Sequence, residues 1–247
     1  MNTADGIGGP ETFFVKDGYE CNHAAASEET AELAAFWTPE RIRNVFAYQY
    51  HVYELAARIA RDRGFRTGLD IGCGPATKTR SLLAPVVKEL VLVDQPACAA
   101  LVAKALPGAR FVPLDLETCA LTLPGDFELI ICADVLEHLA NPRPCLDFAR
   151  EHLAAGGVAV FSTPERDTLH GTDCTRCLHD AHVREWNLAE FRSLLEWAGF
   201  VVTAQLTLPG ARLPWFEERL RLLTPSGLRP RKWRSCQVVL CAARSGG

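Results

Sequence analysis

The chain has 247 residues, of which 48% are hydrophobic and 23% are charged, and its formal net charge is -4. These ordinary proportions predict a folded globular protein and exclude collagen-like, low-complexity and wholly disordered chains. The mild acidity argues against a general binder of nucleic acid. Because no apolar run approaches the ~18 residues of a membrane span, we expect no membrane contact, a cytoplasmic location, and free thiols for most of the ten cysteines.

The chain up to residue 64 predicts a tail followed by one long cap helix. The opening segment, ADGIGGP, is rich in glycine and predicts a mobile tail. Thr38 suits a helix N-cap and Pro39 suits the first helical turn. Apolar residues then follow on nearly every side as far as Gly64, which predicts a helix that packs on both faces. We assign residues 1–64 to the tail and cap helix, and 65–247 to the main part of a single domain.

After residue 64, short apolar runs alternate with helical patterns, as they do in parallel βαβ units. Seven runs predict strands at 66–71, 89–94, 109–114, 127–133, 157–163, 200–208 and 235–244. Helical patterns lie at 76–84, 96–106, 117–120, 142–154 and 187–198. The predicted fold class is therefore α/β: a Rossmann-like, mostly parallel sheet of seven strands with an antiparallel last strand, helices on both faces, and an insertion at 209–234.

The first predicted strand runs into a glycine turn, DIGCGP, that suits a bound ligand. Gly72 and Gly74 let the backbone turn tightly, and the next helix presents free N–H groups there. A dinucleotide fingerprint would need a third glycine where Lys78 stands. Asp70 lies two positions before the first glycine, and a carboxylate there suits a ligand with a cationic amino group.

The sequence here resembles the class I S-adenosylmethionine-dependent methyltransferases, whose first motif is D-I-G-C-G-P after a strand. The resemblance runs in register from about Thr67 to Phe200, with each motif at the carboxyl end of a strand, where open α/β sheets bind ligands. It implies S-adenosylmethionine as cofactor and S-adenosylhomocysteine as product, with Asp94 on the ribose and Asp115 on the adenine. The implied cofactor-binding residues are Asp70, Gly72, Cys73, Gly74, Asp94, Gln95, Asp115, Leu116, Ala133 and Asp134.

Three interpretations compete for the segment D-V-L-E-H after the fourth predicted strand. The i, i+3, i+4 spacing of Asp134, Glu137 and His138 predicts one shared helical face. The group is structural or cofactor-adjacent, or His138 acts as a general base, because the ordinary pKa of histidine suits neutral pH. Thirdly, the segment resembles the metal-binding segment of small-RNA 2′-O-methyltransferases and ubiquinone-pathway O-methyltransferases, which carry Glu in place of Asp134. Such a site would favour magnesium or manganese.

Two stretches after the fifth predicted strand, S-T-P-E-R-D and H-V-R-E-W, resemble a methyltransferase subgroup common beside sugar and natural-product biosynthesis genes. In that subgroup the loop between the stretches covers the mouth of the active site. The resemblance makes His182 a catalytic candidate and makes Arg184 and Trp186 acceptor contacts. The alternative is structural: Arg184 forms a surface pair with Glu185, and Trp186 packs on the next helix.

Other candidates lie on the cap helix, in the same loop and in the insertion. Segments outside the sheet roof the acceptor site in the family, so Tyr48 and Tyr50 are candidate acceptor contacts. The loop offers cysteines and histidines at a spacing that could hold zinc; its candidate ligands are Cys174, Cys177 and His179. The insertion has four cations around a tryptophan: Arg229, Arg231, Lys232 and Arg234. They could meet phosphate or nucleic acid, but for so small a patch on a net acidic chain we expect a solvated face.

Together these features predict an S-adenosylmethionine-dependent methyltransferase whose acceptor is a small molecule, most simply a hydroxyl of a sugar or secondary metabolite. One alternative is an RNA methyltransferase with a divalent metal at Asp134, Glu137 and His138. The other is a non-catalytic cofactor-binding protein of the same fold. We expect a monomer or homodimer. The sequence leaves open the acceptor, the choice among O-, N- and C-methylation, and whether a metal is bound.

Overall fold

The computed structural model describes residues 7–27 and 37–244. The first six residues of the predicted tail lie outside the described residues. Seven strands form one sheet, as predicted; their bounds are β1 Thr67–Ile71, β2 Glu89–Asp94, β3 Arg110–Pro113, β4 Phe127–Ala133, β5 Leu153–Pro164, β6 Phe200–Leu208 and β7 Cys236–Ala243. Only β5 differs from its predicted bounds by more than one residue. It begins four residues early because Leu153 already pairs with Phe127 before the register shifts.

Helices surround this sheet. Their bounds are α1 Pro39–Val45, α2 Tyr50–Arg63, α3 Ala99–Ala105, α4 Arg143–Glu151, α5 Arg166–His170, α6 Leu188–Trp197 and α7 Trp215–Leu223. The helix predicted at 76–84 is present over residues 77–83, and its last five residues, Thr79–Leu83, are π-helical. The helix predicted at 142–154 ends early, at Glu151, because β5 already begins at Leu153. The helix predicted at 117–120 is wrong, because those residues form a turn and loop. Across residues 7–27 and 37–244, none of the helices combines the length and apolar character required to span a membrane.

The sheet order is β3-β2-β1-β4-β5-β7-β6, with β7 antiparallel to both of its neighbours. The predicted antiparallel last strand is confirmed. Both faces of the sheet are covered, because alternate residues of β4 belong to different cores: Ile130 packs in one core, and Leu129 and Ile131 pack in the other, against α2. The chain crosses from β3, on one side of β1, to β4, on the other, and this reversal opens a crevice at the carboxyl ends of β1 and β4.

The prediction of one long cap helix is wrong, because the chain forms two helices, α1 and α2, with a break between Val45 and Tyr50. Gln49 at the break has φ +56°, in the left-handed region, and its backbone N–H donates to the Gly210 carbonyl at 2.9 Å. Tyr48 forms an isolated antiparallel bridge with Ala211. Helical periodicity is a local signal, whereas the partners that stabilise this break come from the distant insertion.

Candidate active site

The glycine turn after β1 packs against the loop that follows β4. Gly72 has φ +72° and Gly74 has φ +54°, a backbone conformation that favours glycine. A Cβ on Gly72 would lie 2.3 Å from Cγ2 of Val135. Gly72 is therefore required both by its backbone conformation and by the closeness of the β4 loop, whereas Gly74 is favoured by its backbone conformation.

Asp94, at the end of β2, is fastened to this turn. One carboxylate oxygen accepts the N–H of Gly74 at 2.7 Å, and the other accepts the N–H of Gln95 at 2.7 Å. Burial raises the pKa of Asp94 above its ordinary value, although these two hydrogen bonds act against the rise. The Cys98 thiol also donates to this carboxylate. Because a carboxylate has about four lone-pair sites, it can still accept a further hydrogen bond. This remaining capacity suits the ribose hydroxyls that the sequence assigns to Asp94.

Asp70 lies beneath the turn and is fully buried. The Tyr53 hydroxyl of α2 donates to Oδ1 at 2.9 Å, and the Thr79 hydroxyl donates to Oδ2. Burial raises the pKa of Asp70 to about 6, against the lowering effect of these hydrogen bonds. In this setting Asp70 joins β1 to two helical segments, and its contact with a cationic amino group stays a prediction. Neither Tyr53 nor Thr79 is predicted as a partner of Asp70, because nothing in their local pattern separates them from core residues.

The other predicted cofactor residues lie at the same edge of the sheet. Asp115 is exposed beyond β3, and its Oδ1 accepts the N–H of Glu117 at 2.9 Å. The neighbouring Leu116 is buried, as are Cys73 in the glycine turn and Ala133 at the end of β4. Their contacts with adenine and with the methionine portion remain predictions.

Gln49 connects the break between α1 and α2 to the ends of β4 and β5. Its Nε2 donates to the Asp134 carboxylate at 3.1 Å, while its Oε1 accepts from the Ser162 hydroxyl and the Cys236 thiol, each at 3.1 Å. Asp134 itself has φ +62°. Sequence reasoning missed Gln49, since a lone glutamine in an apolar helical pattern gives no signal of a buried polar junction.

The helical face predicted for D-V-L-E-H does not form. Asp134 has a left-handed backbone, and only the single 3-10 turn Leu136–His138 follows it. A different group converges instead: one ligand atom each of Glu137, His138 and His182 lie within 4.8 Å of one another. Burial and the negative charge of Asp134 raise the pKa of Glu137 well above its ordinary value. His182 thus joins the predicted pair, and Asp134 lies beside the group.

Both imidazoles of this group are oriented by hydrogen bonds at Nδ1. The His138 Nδ1 lies 2.7 Å from the Ala181 carbonyl oxygen, and the His182 Nδ1 lies 2.8 Å from a Glu185 carboxylate oxygen. A carbonyl and a carboxylate only accept, so each Nδ1 donates and each neutral ring keeps its Nε2 lone pair. Burial lowers the pKa of His138, which favours its neutral form.

Two of the predicted acceptor contacts, Arg184 and Trp186, are buried. Arg184 is buried, and its two terminal nitrogens donate to the carbonyls of Leu139 at 2.9 Å and Ala140 at 2.8 Å. Trp186 is fully buried, and its indole N–H donates to the Phe13 carbonyl at 2.7 Å. The alternative surface pair of Arg184 with Glu185 is wrong, because both side chains are buried. Arg184 and Trp186 fasten the loop to the protein, and acceptor contact remains a prediction for them.

The two candidate tyrosines lie near the break between α1 and α2. Tyr48 is 56% exposed. Tyr50 is half-buried at the start of α2, and its ring lies 4.7 Å from the Arg212 guanidinium of the insertion. The break therefore brings Tyr50 against the insertion and leaves Tyr48 open to solvent.

The candidate ligands of the loop do not join the converging group. The thiols of Cys174 and Cys177 are free and donate to the carbonyls of Arg176 and His182, each at 3.2 Å. The His179 ring stacks on His182 with 3.8 Å between centroids. In the part of the chain that the structure describes, Glu137, His138 and His182 are the one set of three such side chains close enough to hold a metal.

Two of the four cations predicted in the insertion are engaged locally. Lys232 pairs with Glu217 at 2.7 Å, and Arg229 donates to the Thr224 carbonyl at 3.1 Å. A separate hollow of about 550 Å³ lies at the amino ends of the strands, where Thr67 and Lys88 line it. None of the predicted site residues lines that hollow. The candidate site is therefore the crevice at the carboxyl ends.

Comparison with known proteins agrees with this geometry. Residues 41–205 match a family model described as a methyltransferase domain. The chain is 31% identical over 150 residues to a probable S-adenosylmethionine-dependent methyltransferase of Mycolicibacterium smegmatis, covering 59% of this chain and 56% of that protein. It is 29% identical over 106 residues to the ubiquinone biosynthesis O-methyltransferase of Paraburkholderia xenovorans, covering 41% of this chain and 46% of that protein. The matches thus span about half the length of these two curated relatives.

The fold is also that of solved methyltransferase structures. A S-adenosylmethionine-dependent methyltransferase from Clostridium acetobutylicum superposes with a TM-score of 0.59 at 14% identity, covering 88% of this chain and 99% of that one. Because the family model covers more than half of the chain, this protein belongs to the class I S-adenosylmethionine-dependent methyltransferase family.

Proposed function

We propose that this protein binds S-adenosylmethionine at the carboxyl ends of β1 to β4 and transfers its methyl group to a hydroxyl of a small molecule, a sugar or secondary metabolite. The observation that carries the proposal is the hydrogen bond from the Gly74 backbone N–H to the Asp94 carboxylate, at the mouth of the crevice. This arrangement places a carboxylate with spare lone pairs beside a backbone that a ligand can approach closely.

When bound, S-adenosylmethionine supplies a methyl group on a positively charged sulfur, and the acceptor displaces that sulfur in line. The protein then has to align the acceptor and exclude water. Asp94 would hold the ribose hydroxyls and Asp115 the adenine amino group. The backbone from Gly72 to Gly74 would lie against the methionine portion, with Asp134 beside it.

The choice of an oxygen acceptor has two supports. Several curated relatives are ubiquinone biosynthesis O-methyltransferases, although each match covers less than half of this chain. An oxygen acceptor also has to lose a proton, and His138 and His182 carry free Nε2 lone pairs that can accept one. The resemblance of the loop stretches to methyltransferases found beside sugar biosynthesis genes supports the substrate class.

Calorimetry with S-adenosylhomocysteine tests the cofactor site. We expect saturable binding to the wild type and at least tenfold weaker binding to Asp94→Ala, because hydrogen bonds to a charged acceptor contribute about 1.5–3 kcal/mol each. The matched control is Asp126→Ala, an exposed carboxyl at the opposite edge of the sheet, which should bind like the wild type. No binding to the wild type would refute the function, and unchanged affinity of Asp94→Ala would refute the ribose assignment.

Transfer of a labelled methyl group tests the acceptor class. Hydroxylated sugars and secondary metabolites should accept the label, whereas their deoxy analogues should not. Labelling of RNA, with binding that falls steeply as salt rises, would favour the RNA methyltransferase alternative. Cofactor binding with no transfer to any acceptor would favour the non-catalytic alternative.

A further inference from the structure

The helix α7 of the insertion turns its apolar side chains towards solvent. Because an α-helix rotates by about 100° per residue, the side chains of α7 divide into two opposite faces. All the large apolar side chains lie on the outer face, and each of them is more than half exposed, up to 82% for Leu223. Single exposed apolar residues are ordinary, whereas a contiguous apolar face marks a surface that binds a partner. The outer face consists of Trp215, Phe216, Arg219, Leu220, Leu222 and Leu223.

The opposite face of α7 is charged and holds the helix against the protein. Arg221 is buried, and its Nε donates to the Glu218 carboxylate at 2.8 Å. Glu218 also lies 3.9 Å from the ring of His51 in α2. On the same face, Glu217 pairs with Lys232 at 2.7 Å. An ordinary surface helix has the reverse arrangement, with its apolar stripe inward, so these charged contacts fix α7 with its apolar face outward.

The insertion that carries α7 is basic, although the chain as a whole is acidic. Residues 209–234 contain seven basic and two acidic side chains, a net charge of +5, whereas the whole chain has a net charge of -4. Arg219 lies within the outer face, and its guanidinium is 5.5 Å from the Trp215 ring. Lys232 is paired to the edge of α7, and the neighbouring Arg231 is exposed. The outer face therefore suits a partner that is both apolar and anionic.

We propose that the outer face of α7 binds the surface of a membrane that contains anionic lipids. Trp, Phe and Leu side chains enter the boundary between head groups and acyl chains, and basic side chains beside them attract the anionic head groups. A helix that lies on a membrane in this way differs from one that spans it. The expectation of no membrane contact depends on the lack of a spanning run and does not bear on such a helix.

Two other occupants fit the surface less well. A second copy docked through the same face would bring two groups of net charge +5 together, because a two-fold contact uses the same patch of both copies, and like charges oppose such a contact. A nucleic acid would pair with the cations and stack on aromatic rings. It would leave the three leucines of the outer face without an apolar partner.

The insertion also contacts the segment that reaches the crevice. The Gln49 backbone N–H donates to the Gly210 carbonyl at 2.9 Å, and the Arg212 N–H donates to the Ala47 carbonyl at 2.7 Å. The Gln49 side chain donates in turn to Asp134 at the end of β4. Membrane binding through α7 does not require methyl transfer, so this surface is tested separately from the proposed function.

Sedimentation of the full chain with lipid vesicles tests the surface. We expect the wild type to bind vesicles of equimolar phosphatidylcholine and phosphatidylglycerol at least tenfold more tightly than vesicles of phosphatidylcholine alone. This binding should weaken as salt rises. The double variant Leu220→Ser with Leu223→Ser should bind at least tenfold more weakly, because two apolar side chains no longer leave water. Arg231→Gln with Lys232→Gln should weaken binding to the anionic vesicles about tenfold.

The matched control is Leu121→Ser with Leu178→Ser, which removes two exposed leucines outside the insertion. This variant should bind vesicles like the wild type. Circular dichroism checks that each variant is folded, which we expect because the substituted leucines are exposed. If the α7 variant fails to fold, the wild-type preference for anionic over neutral vesicles decides.

Several results would overturn the surface. They are wild-type protein that binds neither kind of vesicle or binds both equally, and an α7 leucine variant that binds as well as the wild type. A vesicle-free dimer that is lost in the leucine variant would assign the face to a second copy instead. RNA that binds the wild type but not the leucine variant would assign it to a nucleic acid. S-adenosylhomocysteine is titrated without vesicles, and its failure to bind refutes the proposed function alone.

Discussion

The buried carboxyl of Asp70 should make the folding stability of this protein depend on pH. Asp70 is enclosed at the end of β1 with two hydroxyl donors, from Tyr53 and Thr79. Burial raises its pKa from an ordinary value of 3.8 to about 6. The perturbation is Asp70→Asn, which keeps the shape of the side chain and removes its ionisation.

The sign and size of the effect follow from linkage. A carboxyl whose pKa is raised by folding binds its proton more tightly in the folded state, so its contribution to stability is complete below about pH 4 and is lost as pH rises through 6. Since each pH unit between the two pKa values corresponds to about 1.36 kcal/mol, ionisation of Asp70 removes about 3 kcal/mol. About 2 kcal/mol of this falls between pH 4.5 and 7.5.

Urea unfolding at several pH values measures this term. Asn can accept from only one of the two hydroxyls, so at pH 4.5, where Asp70 of the folded wild type is protonated, we expect Asp70→Asn to be about 1–3 kcal/mol less stable than the wild type. Relative to the wild type, however, the variant should gain about 2 kcal/mol in unfolding free energy from pH 4.5 to 7.5. Asp126→Asn, an exposed carboxyl, should follow the wild-type curve. Parallel curves for wild type and Asp70→Asn would refute the reasoning.

Two further substitutions test the packing around the site. Gly72→Ala should lower the unfolding free energy by about 1–2 kcal/mol because of its positive φ, and by a further amount because of the clash with Val135. Adding Val135→Ala should remove the loss caused by the clash and leave the loss caused by the positive φ. Thermal melts that show full recovery of stability would contradict this. Glu190→Gln should cost about 3 kcal/mol in urea unfolding, the lower end of the cost of breaking a buried ion pair. Arg166, which pairs with Glu190 at 2.7 Å, would keep only the partly exposed Asp167, at 3.1 Å, as a counter-charge. The double variant Arg166→Met with Glu190→Gln should recover part of that loss. A double variant that is as unstable as Glu190→Gln would argue against the broken ion pair as the cause.

Much of the sheet could be predicted from the chain because its signals are local. Strands β2, β4 and β6 begin and end where the apolar runs predict. The capping box that Asn187 and Glu190 form at the start of α6 follows from residue types three positions apart. The turn at Gly72 and Gly74 is likewise local, since positive φ values favour glycine in any context.

The converging side chains could not be predicted in the same way. The spacing of Asp134, Glu137 and His138 predicts a helical face, but the left-handed backbone of Asp134 breaks the helix before it starts. Gln49 reaches Asp134 only because the insertion holds the chain open between α1 and α2. These outcomes depend on contacts between segments far apart in the chain.

The sequence by itself determined the order of strands and helices, the glycine turn and the acidic residues at the strand ends. The tertiary structure decided which of these residues meet. His182 joins Glu137 and His138 through the backbone hydrogen bond from Val183 to the Glu137 carbonyl. Local patterns report backbone preference and burial, whereas convergence depends on the path of a loop whose partners are set only when the sheet has formed.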